Sequence, residues 1–251
     1  MLLLNTEIEK AIYIRNISEL KKIPKNYNRI YFGKELCADH FPSINTIKEI
    51  LEFSNLHNMK FSLLTPIIHE HNIEKIKKIL SWIKKIADIE IIINDYGIIN
   101  SIKKSKATLS YGRLLNKFKK DPRIISLNIS ESQKINDMYF DDEGILDFFN
   151  ENRISRIELD NLIEGINFTI PNKIKASLYV PYVHISAQKC IWKINNSCNE
   201  QCKNTKIQKF KQFKTPIYYT GKAQFIKNNK IPKYLLEKGI DRIVHMLNPP
   251  L

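Results

Sequence analysis

The stretch Glu90-Ile91-Ile92-Ile93-Asn94-Asp95-Tyr96-Gly97 decides the reading of the fold. From Glu90 to Ile93 the chain shows no alternation of polar and apolar positions. That pattern suits a parallel strand covered on both faces rather than an antiparallel strand with one wet side. Asn94 to Gly97 then ends the strand with turn-forming residues.

Working outward, the same grammar repeats. Upstream, Met59 to Leu64 reads as a strand, followed by the loop Thr65 to His71 and a lysine-studded helix from Ile73 to about Ala87. In that helix Ile76, Ile79, Leu80 and Ile83 fall on one stripe. Before it come strands at Ala11 to Ile14 and Arg29 to Phe32, a helical turn from Ile17 to Ile23 stopped by Pro24, and a helix opening at Ser43. The Ser43 hydroxyl is placed to cap first-turn amides, and Ile44, Ile47, Leu51 and Leu56 are expected on one face. Downstream, a helical segment runs to Lys104 and Ala107 to Tyr111 is a fifth strand, closing on Gly112-Arg113. Repeated strand-then-helix units predict a parallel sheet, closed or doubly wound.

Asp121 to Asp141 is the least regular segment. After it, Glu143 to Asn150 reads as helix, and Arg156 to Leu159 and Lys175 to Val180 as strands. A hairpin is expected from Ile217 to Phe225 around Gly221, a helix from about Pro232 to Gly239, and a last strand from Asp241 to His245. Eight strands predict a TIM-like α/β barrel, possibly irregular, as a single domain over residues 1–251.

Composition bounds the function. A hydrophobic content of 43% is ordinary for a globular chain of 251 residues, and no apolar run has the length of a membrane span. The formal charge of +14 invites an RNA or other acidic partner, yet the lysines are spread over nearly every segment. Seven glycines, with neither GxGxxG nor GxxxxGKS, argue against a phosphate-cradling loop.

Chemistry concentrates in Cys190 to Cys202, CIWKINNSCNEQC, which holds three of the four cysteines; the fourth is Cys37. The start MLLLNTEIEK does not resemble a signal peptide, so the expected location is the cytoplasm and the thiols are expected to be reduced. Four thiolates, on a loop at about residues 188–205 plus Cys37, would suit either a tetrahedral zinc or an iron–sulfur cluster. Zinc ribbons usually take two close ligand pairs, which this spacing matches poorly, and four unrelated buried cysteines are the plain alternative.

Several strand ends carry further candidates. Asn94, Asp95, Tyr111 and Arg113 all follow strands at the rim where barrel sites are built. Arg113 would grip a carboxylate or phosphate with two N–H groups, or lie solvated on the surface. Asp95 would accept a proton or cap the next helix. His69 and His71 suit acid–base chemistry or a plain surface loop, His184 lies near the cysteine loop, and His245 suits a core position. Trp82 belongs to an isoleucine-lined helix, whereas Trp192 sits between candidate ligands and would shield a cluster from solvent.

Four stretches resemble the U32 (collagenase-like) peptidase family: RIYFGKELCADH (Arg29 to His40), IIINDYG (Ile91 to Gly97), SYGRLLNKFKKDPRI (Ser110 to Ile124) and GIDRIVHM (Gly239 to Met246). The likeness is to its single-domain branch, typified by UbiU and UbiV. The resemblance implies that Cys37, Cys190, Cys198 and Cys202 ligate a 4Fe-4S cluster. It implies a component of an oxygen-independent hydroxylation that uses prephenate or a related oxygen donor. The acceptor would be a quinone precursor or a tRNA or rRNA base, and a related U32-family subunit would form a heterodimer with the chain. Peptidase activity is not expected: there is no G-x-S-x-G, no H-E-x-x-H, and no thiol left as nucleophile if all four bind metal.

Overall fold

A computed structural model describes residues 7–250, except 87, 117, 119, 121–142, 167, 169, 172, 188–192, 195–196, 199–201, 203, 212 and 214. Its centre is a closed barrel of eight parallel strands: β1 (Glu9–Ile14), β2 (Arg29–Gly33), β3 (Lys60–Leu64), β4 (Ile89–Ile93), β5 (Thr108–Tyr111), β6 (Ile154–Asp160), β7 (Lys175–Val180) and β14 (Ile240–Met246). The ring runs β1-β14-β7-β6-β5-β4-β3-β2, so the last strand seals against the first. Helices α1 (Ile44–Leu56), α2 (Ile73–Ile83), α3 (Ile99–Ile102) and α4 (Glu143–Glu151) follow β2, β3, β4 and β5. Among the described residues, no helix is long and apolar enough to cross a membrane.

Burial on both faces of each strand explains the apolar runs. Outward-facing Ile12, Ile30, Leu63 and Ile91 join Ile47, Ile76 and Leu80 of the helices in one core. Inward-facing Tyr13, Tyr31, Leu64, Ile92, Tyr179 and Val244 form a second core inside the ring. Ser43 caps α1 by accepting from the Thr46 amide at 3.2 Å, as expected. The Ile76, Ile79, Leu80, Ile83 stripe is buried, but α2 stops at Ile83 rather than running on to Ala87.

Two other expectations are corrected. Leu56 is 81% exposed, because nine residues at about 100° each turn it to the side of α1 opposite Ile47. The helix expected from Pro232 is only a 3₁₀ turn, Leu236–Lys238. Tyr234 there has φ +60, in the left-handed region that a right-handed helix cannot include.

Between β7 and β14 the chain leaves the βα pattern. It forms β8 (Tyr182–Ala187), β9 (Lys193–Ile194), β10 (Ser197–Cys198), β11 (Lys206–Gln208), β12 (Ile217–Thr220) and β13 (Ala223–Lys227). Strands β11-β12-β13-β8 make an antiparallel sheet and β9-β10 a small ribbon. The expected hairpin at Gly221 is the β12–β13 pair.

The amino end of the barrel interior is filled by charge. Glu90 accepts from Arg242 at 2.6 Å and from Ser62 at 2.6 Å, with Arg29 and Arg156 each at 3.5 Å. Arg242 also donates to Glu9 and to the Tyr31 hydroxyl, both at 2.6 Å. Burial alone would raise the Glu90 carboxyl, but Arg242, Arg29 and Arg156 hold it down to about 2. Glu158 is the opposite case: burial, reinforced by the Glu90 charge, pushes it up to about 8.

That contrast gives a pH prediction. A carboxyl raised from 4.5 to about 8 binds a proton in the folded state that the unfolded chain has released, so stability falls as pH rises through this window. Below 6.5 the slope is opposed by His184, which burial pushes down to about 3 and which therefore loses stability as pH falls. Between pH 6.5 and 8 Glu158 dominates, with an expected decline on the order of 1 kcal/mol per pH unit that flattens toward pH 8. Denaturant titrations across that range should show the decline in the wild type and a flat line in Glu158→Gln. An equal slope in both proteins would refute the assignment.

Candidate metal centre at the carboxyl rim

Strand β2 ends at Gly33, whose φ is +145 and where a Cβ would lie 2.1 Å from the Leu64 carbonyl oxygen of β3. Only glycine lets the two strands approach so closely before the chain turns outward. The turn that follows, Lys34 to His40, carries Cys37 to the carboxyl rim. The Cys37 thiol is half-buried, and burial pushes it up, while the amide N–H groups of His40 and Asp39 donate to its sulfur and oppose that shift.

The late insert supplies the other thiols. His40 Nε2 lies 3.3 Å from Cys198 Sγ and 4.0 Å from Cys202 Sγ. Cys202 is buried beneath the β12–β13 turn, where a Cβ on Gly221 would stand only 2.9 Å from its own Cβ. Gly221, at φ +58, thus serves both the turn and the seat of the cysteine.

Of the four predicted ligands, Cys198 and Cys202 approach the His40 ring, and Cys37 on the same turn accepts from the His40 backbone amide; Cys190 lies outside the described residues, as does Trp192. Among the described residues no three His, Cys, Asp or Glu side chains are set in a ready metal-holding geometry. The donor types suit a thiolate-preferring metal or cluster, and a four-thiolate set would draw on Cys190 as well.

The surrounding polar groups mostly brace this rim. His71 Nε2 and Asn72 Nδ2 both meet Asp39 Oδ1 at 3.0 Å, which ties the start of α2 to the cysteine turn. His69 stacks parallel to His71, with ring centres 5.9 Å apart. Asp95 caps, accepting from Gly97 N and Ile68 N at 2.8 Å each. Asn94 is buried and donates to the Thr65 carbonyl at 2.9 Å, and the Tyr111 hydroxyl meets that of Tyr96 at 2.5 Å.

Arg113 differs most from the solvated arginine that its type suggests. It is 1% exposed and donates to Glu35 at 2.5 and 3.0 Å, to Asp160 at 2.8 Å and to the Tyr182 carbonyl at 3.1 Å. Its guanidinium lies over the Tyr179 ring at 4.5 Å. These partners take up its planar fork, so Arg113 ties β2, β6 and the insert together under the rim. His184 gives its backbone N–H to Asp160 at 3.0 Å, and His245 packs edge-on to Tyr27. Trp82 is half-buried on α2 beneath the Lys48 ammonium, 5.7 Å from its ring centre.

Sequence reasoning missed three rim residues. His40 follows Cys37 with two residues between, a spacing that marks metal-ligand pairs, and this signal was present. Arg15 and Lys34 share with His40 and Cys202 the lining of a cavity of about 340 Å³, and nothing in their local sequence distinguishes them.

No protein-family model and no curated protein sequence matches the chain. Among solved structures, "The Structure of the U32 Peptidase Mk0906" aligns with 100% of this chain and 97% of that one, at a TM-score of 0.48 and 7% sequence identity.

Proposed function

We propose that the chain is an iron–sulfur protein of the U32/UbiV type, a component of an oxygen-independent hydroxylation using prephenate or a related donor. Cys37, Cys190, Cys198 and Cys202 would hold a 4Fe-4S cluster, which when bound supplies electron transfer or a Lewis-acidic iron. The observation that supports this reading is the approach of Cys198 and Cys202, from late in the chain, to His40 on the turn that bears Cys37. A related U32-family subunit is the proposed partner. The charge of +14 makes a tRNA or rRNA base the alternative acceptor to a quinone precursor.

His40 favours a second reading. With it, the ligands form two close pairs, Cys37-x₂-His40 and Cys198-x₃-Cys202, the spacing habit of a structural zinc site. On that reading the chain is a zinc-stabilised interaction protein.

Anaerobic purification followed by an absorption spectrum and metal analysis separates the two. Broad blue-region absorption with iron and inorganic sulfide in equal amounts is the expected result. Stoichiometric zinc without iron would replace the cluster by the second reading. A gel shift with total tRNA and rRNA, repeated across salt concentrations, tests the RNA acceptor, because phosphate contacts weaken steeply with salt.

A further inference from the structure

The cavity beside Cys202 is bounded by two cations, Arg15 and Lys34. Lys34 is buried, and its ammonium donates at 2.8 Å to the backbone carbonyl of Arg15. Among the described residues it has no carboxylate within ion-pair distance. Arg15 keeps a buried Nε without a hydrogen-bond partner, and its nearest carboxylate, Glu19, stands 3.7 Å away. The Glu19 carboxylate is itself engaged by the Arg15 amide at 2.7 Å and by Asn248 at 3.3 Å. Of these two neighbouring cations, Arg15 is paired with Glu19 at 3.7 Å and Lys34 with no carboxylate among the described residues. Like charges gathered this way are costly unless a counter-charge joins them.

The remaining walls suggest what that counter-charge carries. Asn16 and Thr46 add polar groups, and Thr46 belongs to the first turn of α1, the positive end of that helix's dipole. Ile17, Phe32 and Pro42 line the rest with apolar surface. A volume of about 340 Å³ is that of a small-molecule site rather than of a lone ion. We infer that this cavity binds a small organic anion, its carboxylate or phosphate head held between Arg15 and Lys34 and its body against the apolar wall. His40 and Cys202 close the side nearest the thiols, so the bound molecule lies next to the candidate metal centre. The inference does not depend on which metal, if any, the thiols hold.

Equilibrium dialysis of the anaerobically purified protein against labelled inorganic phosphate and labelled malonate, at fixed ionic strength, tests this. Saturable binding of at least one probe, at one site per chain, is expected, and the preferred probe identifies the head group. Arg15→Gln and Lys34→Met should each weaken that binding by about tenfold, while the exposed Lys78→Gln leaves it unchanged. Thermal melts of the same samples show whether the variants are folded, and Lys34→Met is expected to melt no lower than the wild type. Absence of saturable binding for both probes, or binding that survives both substitutions in folded protein, overturns the inference. Iron and sulfide measured on the same samples keep its failure separate from failure of the cluster.

Discussion

A Cys198→Ala, Cys202→Ala double variant is expected to lose its iron and inorganic sulfide together while keeping its barrel. A four-thiolate cluster deprived of two ligands has no route to completion from the described residues, since only Cys37 would remain of the three described thiols. The fold should survive, because both cysteines lie in the insert and neither belongs to the two hydrophobic cores. Circular dichroism close to wild type, with iron and sulfide near background, is the expected pair of results. Full iron content in the double variant would refute the ligand assignment. His40→Ala is the companion: under the four-thiolate reading iron stays, whereas under the zinc reading the metal is lost.

Glu90→Ala is expected to produce the largest loss of stability of any single change discussed. Its carboxylate is the common acceptor for Arg242, Arg29, Arg156 and the Ser62 hydroxyl inside the ring. Without it three arginines, each with side-chain exposure between 3% and 8%, face one another around a vacated space. Removing one partner of a buried ionic network costs about 3–5 kcal/mol. For a domain of this size that lowers the melting temperature on the order of 10 °C. Guanidinium unfolding and thermal melts measure the two quantities. A loss below about 1 kcal/mol, the scale of an exposed ion pair, would show that the network does not carry the amino end of the barrel.

The barrel was legible because the feature that makes its strands is local. Ile91 to Ile93 and the isoleucine-rich runs near it are apolar on both sides, and each sits next to turn residues, so their positions follow from the chain itself. Lys175–Val180 begins and ends where its pattern places it. Strand β8 carries no such mark: it pairs antiparallel with β13 across a long sequence separation. Arg113 shows a second limit. Nothing in Gly112-Arg113 announces that Glu35 and Asp160, from two other strand ends, will converge on it. Cysteine spacing singles out the late thiols and Cys37-x₂-His40 has the spacing of a ligand pair, but only the fold shows that Cys198 comes within 3.3 Å of His40 Nε2.

The pairing of β1 with β14 joins residues 9–13 to residues 242–246. A ribosome must therefore release the chain as far as residue 246 before the first strand can find its second neighbour. Until then the nascent chain exposes two unsatisfied sheet margins, a vulnerable interval in which chaperones would be expected to act. Assembly of the thiol-bearing rim can be completed only after synthesis has passed the insert, which makes any metal loading a late event in the life of the molecule.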